Sequence, residues 1–161
     1  MPEYEHRHVV GFEETSLVGN VYFTNYLLWQ GHCRERFLKD HCPEVLSLLE
    51  RREVAFFTRS CRCDWRGEWG FSGLDEIVVR MRLARFRGGR MLLAFTYVHA
   101  ERPAEIVATG EQEVHCKSRR DGTWVPANFP APLVRALQAF ADTPELQAAL
   151  RESLEYTGGA A

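Results

Sequence analysis

An arginine on an apolar helix needs a chemical reason. Between Val21 and Lys39, residues Tyr26, Trp29, Cys33, Phe37 and Leu38 recur at spacings of three and four. Leu27 and Leu28 widen that stripe, and Arg34 stands beside it. A helix this apolar is expected to be covered on most sides by protein. A guanidinium stays charged at any working pH, so Arg34 either holds an anion or is fixed by an ion pair with Glu35, Glu13 or Glu14. Gln30, one turn earlier, is neutral and adds no second cation, and Arg36 lies on a different helical face. The chain enters this helix from a polar loop, Glu13 to Asn20 (EETSLVGN). The first amides of a helix lack intrahelical partners and point at whatever anion sits there, unless Asn20 or Thr24 caps them. Ser16, in that loop, carries a neutral hydroxyl. Without a neighbouring base it cannot abstract a proton, but it can orient a water or cap a turn. The stretch Thr15 to Lys39 holds no aspartate, and its one carboxylate is Glu35.

Other side chains suggest other chemistry. Three His-Cys dipeptides recur, His32-Cys33, His41-Cys42 and His115-Cys116. Imidazole and thiolate suit zinc, but adjacent ligands seldom converge on one ion, and no metal is expected. A Cys33–His32 nucleophile pair is disfavoured because neighbours on a helix point apart. Arg80, Arg82, Arg85, Arg87 and Arg90 cluster around one hairpin, and Arg51, Arg52, Arg59, Arg62 and Arg66 could extend them into a positive surface. The plain alternative is a solvated strand face. The net charge of −2 gives no global pull toward nucleic acid or membrane, and no stacking aromatics interleave these arginines as an RNA-binding motif would require. Five cysteines, an odd number without a CxxC pair, argue against a disulfide framework and fit a reducing cytoplasm. The opening MPEYEHRH is too polar for a secretory signal, and no apolar run approaches the roughly 20 residues of a membrane span.

The elements that must position these groups can be read from the period of the apolar pattern. Tyr4 to Phe12 reads as a first strand, followed by the loop and the long helix. Pro43 starts a shorter helix through Leu49. Glu53 to Arg66, Asp75 to Arg87, Arg90 to His99 and Glu105 to Lys117 are rich in Val, Ile, Phe, Thr and Tyr and read as four consecutive strands. Turns fall at Gly67 to Gly73, at Gly88-Gly89, where both residues tolerate positive φ, at Glu101-Arg102-Pro103, and at Asp121-Gly122. Pro130 to Ala141 and Pro144 to Leu154 read as closing helices on the sheet or on a subunit neighbour, each with proline near its first turn. Residues 155–161 read as a frayed tail. One strand, a long apolar helix and a four-strand meander predict an α+β single domain, with about five antiparallel strands wrapped around the central helix.

The segment Gly11 to Leu38, GFEETSLVGNVYFTNYLLWQGHCRERFL, carries a resemblance. Its run S-L-V-G-N-V-Y-F-T-N-Y-L-x-W is similar to the signature D-x-x-G-x-V-(Y/F)-x-x-N-Y plus aromatic of the 4-hydroxybenzoyl-CoA thioesterase-like hot-dog superfamily. Within it, the GFEET opening, W-Q-G-x-C-R-E at Trp29 to Glu35 and V-R-M-R-L at Val79 to Leu83 most resemble the thioesterases of enediyne polyketide pathways. The likeness runs roughly from Val9 to Phe140. It implies a hot-dog fold and a homodimer, usually doubled to a tetramer, with sites at the dimer interface. It also implies hydrolysis of a long, unsaturated, often β-keto acyl chain from the acyl carrier protein of a polyketide synthase, without metal or organic cofactor.

By the same resemblance, the backbone N–H of Phe23 is the oxyanion donor, and Arg34 and Tyr26 act near the thioester. Ser16 takes the place where the wider superfamily has a catalytic Asp and the enediyne branch often Asn. That departure points to a positioned water in place of a carboxylate base. Asn20, Tyr22, Asn25, Trp29, Phe57 and Thr58 are the expected substrate-side residues, Asn25 as support for the loop, Thr58 facing the site from the second strand. Tyr22, Trp29, Phe57, Trp65 and Phe71 are candidates for the apolar acyl slot, each equally explained as core. A positive arginine surface would suit an acidic carrier protein, or a coenzyme A nucleotide. Two other readings stay open: an acyl-CoA thioesterase of the wider superfamily, and a non-catalytic module that binds acyl chains.

Overall fold

The computed structural model describes residues 2–67 and 70–158. Strand β1 (Tyr4–Val9) leads through a short 3₁₀ turn (Phe12–Glu14) and the loop into helix α1 (Thr24–His41). Helix α2 (Pro43–Glu50) follows, then strands β2 (Val54–Trp65), β3 (Glu76–Arg87), β4 (Arg90–His99), β5 (Ile106–Arg120) and β6 (Thr123–Pro126), and helices α3 (Ala131–Gln138) and α4 (Pro144–Gly158). The strands form one antiparallel sheet in the order β1-β3-β4-β5-β2, with β6 paired to the far end of β5. This is the hot-dog arrangement, a curled sheet with α1 against its inner face.

Several expectations need correction. Helix α1 begins at Thr24, because the residues from Glu14 to Tyr22 are tied into a turn by backbone bonds of Ser16 N to Asn20 O and Tyr22 N to Glu14 O. The four consecutive strands are not one meander. Strand β2 pairs with β5 and not with β3, so the long link between β2 and β3 must carry the chain from one side of the sheet to the other. The Gly67 to Gly73 turn expected there includes residues 68 and 69, which lie outside the described residues. Only Gly88 of the Gly88-Gly89 pair has positive φ, at 52°. Gly89 serves a different need, since a Cβ there would run into the Ala127 carbonyl. Strand β6 was not expected from the sequence. Asp121 and Gly122, at φ 47° and 79°, turn the chain back to form it. Helix α4 continues through residues 155–158, which the pattern places in the tail, and residues 159–161 lie outside the described residues.

The core explains why α1 sits where it does. Tyr26, Trp29, Gln30, Cys33, Phe37 and Leu38 are its buried positions, one stripe at helical spacing. Tyr26 and Trp29 meet Phe71 and Tyr97 in an aromatic cluster, with Tyr26 to Trp29 ring centroids 5.3 Å apart and Tyr26 to Tyr97 5.4 Å. Each such ring removes about 150–250 Å² from water, so this cluster anchors the helix to the sheet. Within one chain the covering is one-sided, because Leu28 remains 51% exposed. Helix α3 packs through Leu133, Val134 and Leu137 against α1 and α2, while α4 lies along α3 and β3. Among the described residues, no helix is long and apolar enough to cross a membrane.

Candidate active site

The loop before α1 is held from behind by one carboxylate. Trp29 Nε1 donates to Glu14 Oε1 at 2.8 Å, and Glu14 Oε2 bonds His8 Nε2 at 2.7 Å and accepts the Gly11 N–H at 2.8 Å. Asn25 Nδ2 donates to the Glu14 carbonyl at 2.9 Å. Burial pulls the Glu14 carboxyl upward, but the bonds from His8, Gly11 and Trp29 outweigh it and leave the group below its ordinary value. Glu14 is therefore a structural anchor, not a solvated side chain. Trp29 and Asn25 face it: their polar atoms hold the loop, and the Trp29 ring is fully buried.

In front of that anchor, Ser16, Asn20, Tyr22, Phe23 and Tyr26 line one cleft of about 330 Å³, together with Trp65. The Ser16 hydroxyl donates to Asn20 Oδ1 at 2.5 Å, which commits its proton and leaves an oxygen lone pair. Phe23 is the N-cap of α1, and its N–H bonds to no backbone carbonyl among the described residues. Tyr26 is buried to 1% exposure, and its hydroxyl receives the Phe71 N–H at 3.5 Å. Burial chiefly raises its pKa, so the phenol is a neutral group that can donate a hydrogen bond. Phe71 itself is fully buried behind Tyr26.

Arg34 lies elsewhere, eleven residues further along α1 than Phe23, or about 16 Å along the axis. Its Nη1 donates to Gln112 Oε1 at 2.7 Å and to Thr58 Oγ1 at 3.2 Å. Thr58 reaches it because β2 carries a bulge: the register runs from Thr58↔Val114 to Ser60↔Glu113, leaving Arg59 unpaired. The extra residue lets Thr58 and Cys61 both face inward, where strict alternation would turn one away. Phe57 alternates onto the other face, where it packs edge-on to Trp124 and under the Lys117 ammonium at 4.6 Å. It is not brought to either cluster. Burial lowers the pKa of the Arg34 guanidinium, while Glu35 and Cys61 oppose this through space. None of the ion pairs expected for Arg34 forms among the described residues. Gln112, its strongest partner, was not singled out from the sequence. The signal was there: Ala108, Gly110, Val114 and Cys116 alternate as the apolar face of β5, and Gln112 is the polar residue on it.

The remaining sequence features resolve simply. Cys33 and Cys116 are buried thiols pushed up to about 12 by burial, poor nucleophiles at neutral pH. No three His, Cys, Asp or Glu side chains converge as a metal site would need among the described residues. Arg80 pairs with Glu5 at 3.0 Å and Arg62 with Asp64 at 3.0 Å, whereas Arg85, Arg87 and Arg90 line an open groove beside the β3–β4 turn.

Comparison with known proteins closes the assignment. The profile of the thioesterase-like superfamily matches residues 10–151. Among solved structures, the chain is similar to the dynemicin thioesterase, whose crystal structures reveal induced-fit and allosteric effects upon polyene binding. The identity is 46%, the match covers 88% of this chain and 99% of that one, and the TM-score is 0.81. A 1,4-dihydroxy-2-naphthoyl-CoA thioesterase from Synechocystis shares the fold at 17% identity and TM-score 0.72, over 84% of this chain and 96% of that one. So does a 4-hydroxybenzoyl-CoA thioesterase variant in complex with 4-hydroxybenzoyl-CoA, at 12% identity and TM-score 0.67, over 86% and 99%. A search of the curated proteins finds no match. With its hot-dog sheet, its helix-entry cleft and this relation to the dynemicin enzyme, the chain belongs to the thioesterase-like superfamily.

Proposed function

We propose that the protein hydrolyses a long, unsaturated (β-keto)acyl thioester carried by the acyl carrier protein of an iterative enediyne polyketide synthase. The relation to the dynemicin thioesterase, 46% identical over 88% of the chain, carries this reading. The cleft supports its chemistry. Phe23 N–H, free of backbone partners among the described residues, would bind the carbonyl oxygen as it gains charge, and Tyr26 stands beside it. A donor of this kind contributes about 2.7–4 kcal/mol to the transition state. Water adds to the carbonyl carbon, the C–S bond breaks, and the proton given up by water ends on the departing sulfur. Ser16, whose own proton is held by Asn20, orients that water through its lone pair and is not the base. Tyr22 and Asn20 border the acyl group, while Trp29 and Asn25 keep the loop in place. A released β-keto acid can then lose CO₂ to give a methyl ketone.

The same reading includes a second copy of the chain. Phe23 and Arg34 are too far apart along α1 to act on one thioester within a single subunit, so a homodimer would bring the cleft of one copy to the Arg34 and Thr58 cluster of the other. Exposed Phe12, Leu17, Val18, Tyr22, Phe23 and Leu28, together with the free edge of β2, offer the apolar surface for that contact. Pairing of two such dimers would give a tetramer. Arg85, Arg87 and Arg90, which line the groove, suit the acidic face of a carrier protein, which would speed encounter more than it would tighten binding.

The test is turnover of a polyene β-ketoacyl carrier protein against the matched acyl-CoA, with free acid and methyl ketone followed by mass spectrometry. Faster release from the carrier protein supports the proposal. Faster release from acyl-CoA favours a coenzyme A thioesterase, and binding without release favours an acyl-binding module.

A further inference from the structure

Arg34 is held by a chain of hydrogen bonds that runs in one direction. It starts at the Arg62 carbonyl, which can only accept, so the buried Gln30 must turn its Nε2 toward it, at 2.9 Å. Gln30 Oε1 then accepts from the Cys61 thiol at 3.0 Å, and Cys61 Sγ faces Gln112 Nε2 at 4.0 Å. Gln112 is left with its carbonyl toward Arg34, at 2.7 Å. Gly110 leaves the space that Gln30 occupies, since a Cβ there would collide with its amide. Gln30 is 0% and Gln112 4% exposed, so neither amide can exchange this arrangement for water.

The partners chosen are all neutral. Arg34 Nη1 is used by Gln112 and Thr58, while Nε and Nη2 bond to nothing among the described residues. A largely buried guanidinium with neutral partners keeps its full charge, and its unused edge has the fork geometry that matches a carboxylate or enolate. We infer that Gln112 is the positioning residue of Arg34. Its neutral carbonyl aims the guanidinium without discharging it, so that the free edge selects an anionic group on the acyl ligand. This rests on the proposed function only in taking Arg34 to face the acyl ligand.

The experiment compares binding of decanoate and decan-1-ol, matched in chain but not in charge, to the intact wild type, Arg34→Gln, Gln112→Glu and Gln112→Met by calorimetry at neutral pH. Wild type should favour the acid about tenfold or more, and Arg34→Gln should abolish the preference. Gln112→Glu places a carboxylate on Arg34 and should bring the ratio to about one by losing affinity for the acid alone. Gln112→Met removes the acceptor without adding charge, so the ratio should fall to an intermediate value, still in favour of the acid. A Gln112→Glu protein that keeps the wild-type ratio overturns the inference. So does a Gln112→Met protein that keeps the full wild-type ratio, because Gln112 would then not aim the guanidinium, or one that falls as far as Gln112→Glu, because packing would then explain both. A wild type without preference, or an Arg34→Gln protein that retains it, removes the reading of Arg34 on which the inference rests.

Discussion

The two ends of α1 are built in opposite ways. At its start, the groups that could meet a reacting carbonyl are backbone amides and a loop hydroxyl, all supplied by the contiguous segment from Gly11 to Tyr26 and braced by Glu14. At Arg34, the working group is one side chain, and its surroundings come from three elements distant in sequence, α1, β2 and β5. The first end uses a carboxylate, but as a strut hidden behind the loop. The second dispenses with a carboxylate and leaves a positive charge unspent. A local segment can position dipoles on its own, because the turn that makes them also aims them. An uncompensated charge needs long-range packing to hold it out of reach of a counter-ion.

The largest expected effect breaks the Arg34 end. Arg34→Ala should lower kcat/KM for the acyl carrier thioester by about 10²–10³-fold, comparable with loss of an oxyanion donor. Unfolding by urea should show little loss of stability, because release of the desolvated guanidinium offsets the hydrogen bond that Gln112 loses. A stability loss as large as that of an anchor variant would contradict the contrast. Ser16→Ala should act on the other end more mildly, with kcat down by about tenfold and KM little changed, as for a residue that orients water. An unchanged kcat would show that another group positions the water.

Glu14→Gln should do the reverse of Arg34→Ala. It removes the charge that three donors surround, and should cost about 1–3 kcal/mol of stability in denaturant titrations. Its pH dependence sharpens the point. The folded-state pKa of Glu14 is depressed from its ordinary 4.5, so its contribution is fully present above 4.5 and is lost as pH falls through the lower folded value. Urea midpoints measured from about pH 6 down to pH 3 should fall more steeply for wild type than for Glu14→Gln; parallel curves would remove Glu14 from its role as anchor. The smallest effect belongs to Phe57→Ala, on the outer face of β2, where loss of the Trp124 edge contact should cost about 0.5–1.5 kcal/mol of stability. Activity of the folded protein should stay within about twofold of wild type, since a surface site away from special features changes little. A much larger fall in turnover would place Phe57 in the site after all.

Much of the loop end was legible in the chain. The polar segment followed by an apolar stripe marks a helix entry, and Ser16, Asn20, Tyr22, Phe23 and Tyr26 do share one cleft. The role of Trp29 was not legible, because an aromatic on an apolar face reads the same whether its ring N–H bonds a substrate or Glu14. Phe57 and Thr58 are neighbours in sequence, yet a period of two sends them to opposite faces, and only the pairing of Thr58 with Val114 of β5 decides which faces inward. The place of β2 beside β5 was likewise hidden, since apolar alternation names strands without naming their neighbours.

By itself the sequence determined the elements, the single apolar stripe of α1 and the groups at its entry, because each depends on residues within a few turns or one strand pleat of one another. Only the tertiary structure decided that Glu14 is a strut, that Thr58 and Gln112 meet at Arg34, and that this guanidinium has no carboxylate partner among the described residues. Those outcomes depend on which strands lie side by side and which buried polar atoms must satisfy one another, and that pairing is settled by packing across the whole sheet.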